Sequence, residues 1–329
     1  MQPAERELLE TPNDELAAWL AGHGLELSAA LPLSGDVSPR RYTRLLLADG
    51  ATAVLATYPP EVRDVCPRFL RTTELLARAA VRAPKVLAVD VDRGWMALED
   101  LGPWTLAEWK GRPWSELQAY FEDALAAARR IAALPAESVA ELSPPLDRAL
   151  LERELAQTWE LFLEPRDLVG TTAVAASLRS LLAELCANLA ADSPVPCHRD
   201  FMARNLMPLA GPSGSSVAVL DHQDLRLGPP AYDLASLLND SLFPPAEMEA
   251  AFLALAAPGT AGRLRYHRAA AQRTLKAVGT YASFARRGAM RHLPLIAPTL
   301  ARCLDHLGQT PEGAPLRRDL ARAWRPILH

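Results

Sequence analysis

A chain of 329 residues, half apolar and 22% charged, is long enough for one large domain or two lobes, each with a real core. Its formal charge of −4, with both signs scattered, argues against a nucleic-acid binder, which carries a basic surplus or stripe. Cys66, Cys186, Cys197 and Cys303 lie far apart, in neither CxxC nor Cys/His ligand spacing, which fits buried thiols in a reducing compartment rather than disulfides or zinc.

The first segment, MQPAERELLETPNDEL, is acidic and polar and does not read as a signal peptide. Residues 5–22 read as a helix carrying Leu8, Leu9, Leu16, Trp19 and Leu20, stopped by Gly22 and Gly24. LPLSGDVSP leads into RRYTRLLLAD; the Asp49-Gly50 pair predicts a hairpin turn, answered by TAVLATY and closed by Pro59-Pro60. A helix follows over about 65–80. PKVLAVDVD and GWMALEDL then read as a second hairpin around Arg93-Gly94. After Gly102-Pro103 the pattern turns helical, over 114–134, 145–163 and 172–191, and again from about 231 onwards. CHRDFMARNLM and SVAVLDHQD interrupt it, joined by the polar turn AGPSGSS. No uncharged run of about eighteen or more apolar residues appears, so no membrane span is expected.

The expected class is α+β, with an antiparallel N-terminal lobe over 1–98, a hinge at 99–103 and a larger helical lobe over 104–329. A cleft between lobes is a favoured place for a small-molecule site.

The polar cluster at 197–207 carries the chemistry. His198, Asp200 and Asn205 spell H-x-D-x-x-x-x-N, and Asp221 closes the β-run VAVL, so its carboxylate is expected at a strand end. A hairpin through NLMPL and VAVLD is expected to bring Asn205 and Asp221 side by side. A carboxylate and a carboxamide oxygen, completed by water and phosphate oxygens, suit Mg²⁺, which wants few protein ligands. A separate carboxylate at Asp200 can accept a proton from a hydroxyl. These are the parts phosphoryl transfer needs.

CHRDFMARNLM followed by VLDHQDLRLGPPAYDLASLL resembles the catalytic core of the aminoglycoside phosphotransferase/choline-kinase group, which shares the protein-kinase-like two-lobed fold. SGDVSPRRYTRL, YPPEVRDVCPRFLR, APKVLAVDVDRGWMALEDLG, REL at 153–155 and QRTLKAVGTYA further resemble the bacterial cell-wall-recycling sugar kinases. Those enzymes phosphorylate the anomeric hydroxyl of N-acetylmuramate and N-acetylglucosamine. The likeness spans about residues 34–285.

It implies ATP and Mg²⁺ as cofactors and an amino sugar as acceptor. Asp200 would orient or deprotonate the acceptor hydroxyl, Asn205 and Asp221 would hold Mg²⁺, and His198 would support the loop. Asp233 would brace the loop, and backbone at Glu99, Asp100 and Leu101 would meet the adenine. Arg204 joins the catalytic set, serving the acceptor, the γ-phosphate or only Asp200.

Two features depart from the pattern. Ala56 or Thr57 stands where the strand lysine that holds the α- and β-phosphates is expected, and no G-x-G-x-x-G is present. SGDVSPRR fills that place with Ser34, Gly35 and Ser38. Arg40, Arg41 and Arg44 lie nearby, with Arg41 favoured as a phosphate ligand. Strand alternation puts Tyr42 and Arg44 on one side and Arg41 on the other.

Other residues carry two readings. Asp200, Asn205 and Asp221 are also residue types that commonly cap and turn. His222 and Gln223 fit pocket shaping better than metal ligation, and Asp224 faces the acceptor or holds Arg226. Solvated charge is the default for Glu154 and Glu160, with Glu154 the better sugar-hydroxyl acceptor. Arg273 reads as a salt-bridged surface residue or as the partner of a substrate carboxylate.

The sequence thus predicts a cytoplasmic, monomeric kinase of amino sugars, with nucleotide and sugar as partners and neither nucleic acid nor membrane. The rival acceptors are an aminoglycoside, a choline-like alcohol or homoserine. A rival of another class is a silent nucleotide-binding pseudokinase, which the missing lysine favours and intact Asp200, Asn205 and Asp221 oppose. The basic stretch QRTLKAVGTYASFARRGAMRHL favours a neutral or anionic acceptor over a polycation.

Overall fold

The computed structural model describes residues 14–33, 39–211 and 214–328. Its strands are β1 (Leu27–Leu33), β2 (Arg41–Leu47), β3 (Thr52–Thr57), β4 (Val86–Asp90), β5 (Trp95–Glu99), β6 (Val195–Cys197), β7 (Leu206–Gly211), β8 (Gly214–Val219) and β9 (Arg226–Gly228). The first helices are α1 (Asp14–Gly22), α2 (Val65–Arg78), α3 (Trp114–Ala132), α4 (Ala136–Ala140), α5 (Arg148–Thr158) and α6 (Thr172–Ala190). The remainder are α7 (Tyr232–Leu238), α8 (Ala246–Ala256), α9 (Gly259–Arg286), α10 (Ile296–Leu307), α11 (Arg317–Ala323) and α12 (Arg325–Leu328).

The chain forms two compact units. The first runs to Pro103 and takes in Ala218–Gln223; the second holds Trp104–Val217 and Asp224 onwards.

The first unit is built on an antiparallel sheet in the order β1-β2-β3-β5-β4. Strand alternation gives it two apolar faces. Leu45, Leu47, Ala53, Leu55, Ala88 and Ala97 pack with Leu20 of α1. Ala56, Tyr58, Met96 and Leu98 pack with Cys66 and Phe69 of α2. That helix buries Cys66, Phe69, Thr72, Leu75 and Leu76, the spacing of one helical face. Both expected hairpins form. Asp49 Oδ1 accepts Ala51 N–H at 2.9 Å in the β2–β3 turn. In the β4–β5 turn Gly94 has φ +71°, and a Cβ there would lie 2.2 Å from Tyr58 O. Tyr58 N–H in turn donates to Gly94 O, so the close approach locks this corner.

Within the second unit α9 is the central helix, packed by α5, α6, α7 and α10. Small residues permit this: Ala269, Ala270 and Ala271 are all fully buried. A Cβ on Gly279 would meet Thr158 Oγ1 at 2.2 Å, so α9 and the end of α5 touch backbone to backbone. The helix expected over 145–163 is not regular throughout. After Thr158 it loosens into a π-helical turn, Trp159–Leu163. α6 is long and apolar enough to cross a membrane by length and composition; one face of it buries Leu178, Leu181, Leu185 and Leu189 and packs on α5 and α9. Two short two-stranded sheets, β6-β9 and β7-β8, complete the set.

Candidate active site

In the second unit, β6 ends at Cys197 and the chain turns sharply through His198–Asn205. Arg199 holds φ +75°, a left-handed value that costs a non-glycine residue on the order of 1–3 kcal/mol. Asp233, at the start of α7, holds the loop there. Its Oδ2 accepts His198 N–H at 2.7 Å and its Oδ1 accepts Arg199 N–H at 2.9 Å. Ser236 Oγ donates to Arg199 O at 3.3 Å. His198 is fully buried, its ring edge-on to Phe201 at 5.7 Å. Asn205 Nδ2 donates to Asp200 O at 2.8 Å, and among the described residues no hydrogen bond falls on its carboxamide Oδ1.

Asp200 is ringed by cations. Arg273 Nη2 lies 3.0 Å and Lys276 Nζ 3.7 Å from the same oxygen, Oδ1. Burial alone would raise this carboxyl; Lys276, Arg273, Arg199 and His198 outweigh it and hold it well below the usual range. Among the described residues no hydrogen bond falls on Oδ2.

Glu154 is buried rather than solvated. Its Oε1 meets Arg199 Nη2 at 2.9 Å and its Oε2 accepts from Gln272 Nε2 at 3.3 Å. Burial works against its charge, but Lys276, Arg199 and Arg273 keep it ionised below the usual range. Glu160 is exposed, as expected. Arg273 is likewise buried instead of lying on the surface, its Nε donating to Ser236 Oγ at 3.1 Å.

Asp224 stands 3.7 Å from Arg199 and 3.8 Å from Arg226, so it serves both guanidinia. Arg204 is committed to Asp240 at 2.8 Å. Lys276 was missed in the sequence because a lysine on an Ala-rich helix reads as solvent-facing. Its position one turn beyond Gln272 and Arg273 was the signal available.

In the first unit, Asp221 has φ +56° and follows the buried run Val217–Val219. Its Oδ1 meets Arg40 Nη2 and Gln223 Nε2, each at 2.8 Å. His222 is fully buried, its Nδ1 paired with Thr72 Oγ1 at 2.8 Å and its ring 4.3 Å from that of Phe69, so it is a packing residue. Arg41 is exposed; Arg40 takes the buried position beside Asp221.

Arg44 is bound to Asp100 at 2.6 and 3.1 Å and to Gly102 O at 2.8 Å. Glu99 holds Arg82 at 2.5 Å and accepts Lys85 N–H at 3.1 Å. These acidic side chains tie down the strand end. Ser34, Gly35 and Ser38 lie outside the described residues.

Among the described residues no three His, Cys, Asp or Glu side chains converge as a metal cage. In the first unit Asp221 Oδ2 takes part in no hydrogen bond among the described residues, and a carboxylate oxygen of this kind suits a hard cation that keeps most of its shell from water and phosphate.

Residues 29–270 match the phosphotransferase enzyme family (APH). The chain is 32% identical to the N-acetylmuramate/N-acetylglucosamine kinase of Pseudomonas putida, over 91% of this chain and 88% of that one. It is 31% identical to the protein of the same name from Caulobacter vibrioides, covering 68% and 70%. Among solved structures it is similar to the choline kinase LicA from Streptococcus pneumoniae, with TM-score 0.61 at 14% identity over 89% of this chain and 97% of that one. A thermostable mutant of aminoglycoside phosphotransferase APH(4)-Ia also has TM-score 0.61, at 18% identity over 91% and 97%. These neighbours share the protein-kinase-like fold. By the length of the match and the coverage of its relatives, the chain belongs to the phosphotransferase enzyme family.

Proposed function

We propose that this protein is a cytoplasmic, ATP-dependent kinase that phosphorylates the anomeric hydroxyl of N-acetylmuramate and N-acetylglucosamine in peptidoglycan recycling. The observation that carries the reading is its likeness, over nine-tenths of its length, to a kinase of that name. The surroundings of Asp200 support it.

In the reaction the acceptor oxygen bonds to the γ-phosphorus as the bond from that phosphorus to the β-γ bridging oxygen breaks. The products are a sugar 1-phosphate and ADP, and the hydroxyl proton leaves through Asp200. Asp200 Oδ2 would take the hydroxyl hydrogen while Arg273 and Lys276 hold Oδ1 in place. So strongly stabilised a carboxylate is a weak base. That suits the anomeric hydroxyl, the most acidic in the sugar because of the adjacent ring oxygen. It also suits a loose phosphoryl-transfer transition state, in which orientation counts for more than prior deprotonation. Mg²⁺, when held by Asp221 and Asn205, would neutralise charge on the phosphates. Glu154 and Asp224 would accept sugar hydroxyls, with Arg199 fixing both.

Arg199, Arg273 and Lys276 offset the carboxylates of Asp200, Glu154 and Asp224, leaving no carboxylate excess to attract a polycationic aminoglycoside or a quaternary amine. They suit a neutral or anionic sugar, with Arg273 or Lys276 available to the lactyl carboxylate.

Incubation with Mg·ATP and a panel of amino sugars, alcohols and antibiotics, with ³¹P NMR of the products, tests the proposal. Phosphate at C1 of the amino sugars is expected. Asp200→Asn should still bind ATP but turn over on the order of a hundredfold to ten-thousandfold more slowly. Modification of an antibiotic hydroxyl with no amino-sugar product would overturn the acceptor; undiminished turnover by Asp200→Asn would overturn the role of Asp200.

A further inference from the structure

The strand that should carry a phosphate-binding lysine does not. β3 presents the fully buried Ala56 and then Thr57 there. β2 pairs with β3 in the register Tyr42↔Ala56 and Arg44↔Val54. By strand alternation Arg40, Tyr42 and Arg44 project from the face that also carries Ala56 and Tyr58. A cation on that face can reach from β2 what a lysine would reach from β3.

Of the three arginines near this point, two are unsuited. Arg44 is held bidentately by Asp100 and again by Gly102 O. Arg41 alternates to the opposite face. Arg40 lies on the right face, with its side chain 14% exposed and its guanidinium 6.0 Å from the centre of the Tyr42 ring. Its Nη2 lies 2.8 Å from Asp221 Oδ1.

That partner matters. Asp221 is the carboxylate whose oxygens suit a divalent cation, and it sits in a strained left-handed turn. A guanidinium and a divalent cation repel each other and seek the same carboxylate charge.

We propose that Arg40 is the phosphate-binding cation of this enzyme, doing the work of the absent strand lysine. Until nucleotide arrives it is also a placeholder that neutralises Asp221. The inference rests on the nucleotide-dependent reading above. When the cation enters with the nucleotide, Asp221 exchanges its guanidinium partner for the metal. The Arg40 guanidinium then meets the phosphate oxygens, for which its planar donors are well shaped. The exchange disfavours binding of the cation alone, so cation and triphosphate enter together.

This makes an unusual demand on one substitution. In Arg40→Ala, affinity for ATP in the presence of Mg²⁺ should fall about tenfold or more by titration calorimetry, one charge-assisted contact being lost. Affinity for AMP should stay within about twofold, because AMP lacks the outer phosphates. Mn²⁺ binding without nucleotide, followed by electron paramagnetic resonance, should tighten, because the competitor for Asp221 is gone. Arg40→Lys should recover part of the ATP affinity, and circular dichroism with a thermal melt checks that each variant is folded. If Arg40→Ala fails to fold, Arg40→Gln keeps the stem and carries the same three titrations.

A residue that merely supported the fold would weaken all three ligands together. Equal losses for ATP and AMP, unchanged ATP affinity, or Mn²⁺ affinity that is unchanged or weaker would each overturn the inference. Wild-type protein that binds no nucleotide would instead overturn the kinase reading itself.

Discussion

At the scale of single residues, the chemistry turns on how much positive charge surrounds Asp200. Lys276 is the most telling of the three cations. Its side chain is only 13% exposed, and burial first, then Arg273, push its ammonium down to about 8; Asp200 and Glu154 pull the other way without prevailing. A group that is ionised below its pKa loses its charge as pH rises through it, so Lys276 stops supporting Asp200 and Glu154 just above neutrality. The pH profile of kcat/KM for N-acetylglucosamine should therefore fall on its alkaline side with an apparent pKa near 8. In Lys276→Arg the charge persists, and that limb should move upward by about one pH unit or more. An alkaline limb that stays put in the arginine variant would assign it to another group.

H-x-D-x-x-x-x-N was legible because few residue types suit that chemistry at that spacing. Lys276 and the burial of Glu154 and Arg273 were not. A polar residue on an amphipathic helix gives no sign of which flank meets a neighbouring loop, and only the packing of α9 shows it.

Among elements, α9 carries most of the acceptor-side architecture. Gln272, Arg273 and Lys276 project from it toward Glu154 and Asp200, while its small residues let α5 approach. Thr158 Oγ1 donates to Leu275 O at 3.0 Å, tying the end of α5 to α9 in the turn that holds Lys276. Gly279 lies under Thr158, where an added Cβ would come within 2.2 Å of the hydroxyl and 2.7 Å of the Cα.

Gly279→Ala should therefore destabilise the protein by about 1–3 kcal/mol in urea, although alanine is the better helix former. Because Glu154 sits on α5, the same variant should raise KM for the sugar more than it changes affinity for ATP. A neutral or stabilising effect would mean that the two helices separate at little cost.

The hairpins of the first unit were readable from Asp49-Gly50 and Arg93-Gly94, where short-range turn chemistry decides. The π-helical turn after Thr158 was not, since WELFL has ordinary helical composition and only tertiary packing loosens it.

For the whole molecule, connectivity is the feature that sequence order conceals. The sequence suggests a clean division near residue 100, with everything beyond it in the later lobe. Instead Ala218–Gln223 packs with the first unit. Val219 N–H donates to Arg82 O at 2.8 Å, His222 fills the space against Phe69 and Thr72, and Asp221 neutralises Arg40.

A segment of six residues so far along the chain has no local signal for this role, because its partners are set by a long-range return. The physical consequence concerns autonomy. A fragment of residues 1–103 retains the five strands, α1 and α2 but loses the side chains that cover Phe69 and Thr72 and the partner of Arg40. Removing buried packing of this kind costs several kcal/mol, a large share of the ~5–15 kcal/mol that keeps a domain folded. The fragment should therefore show poorly dispersed amide resonances and no sharp thermal transition, while the full chain melts cooperatively. Fusing residues 217–224 to its C-terminus through a flexible linker should recover part of the dispersion, and substituting His222 by alanine in that fusion should abolish the recovery. A 1–103 fragment that unfolds cooperatively on its own would show instead that the returning segment serves Asp221 alone and contributes little to the fold.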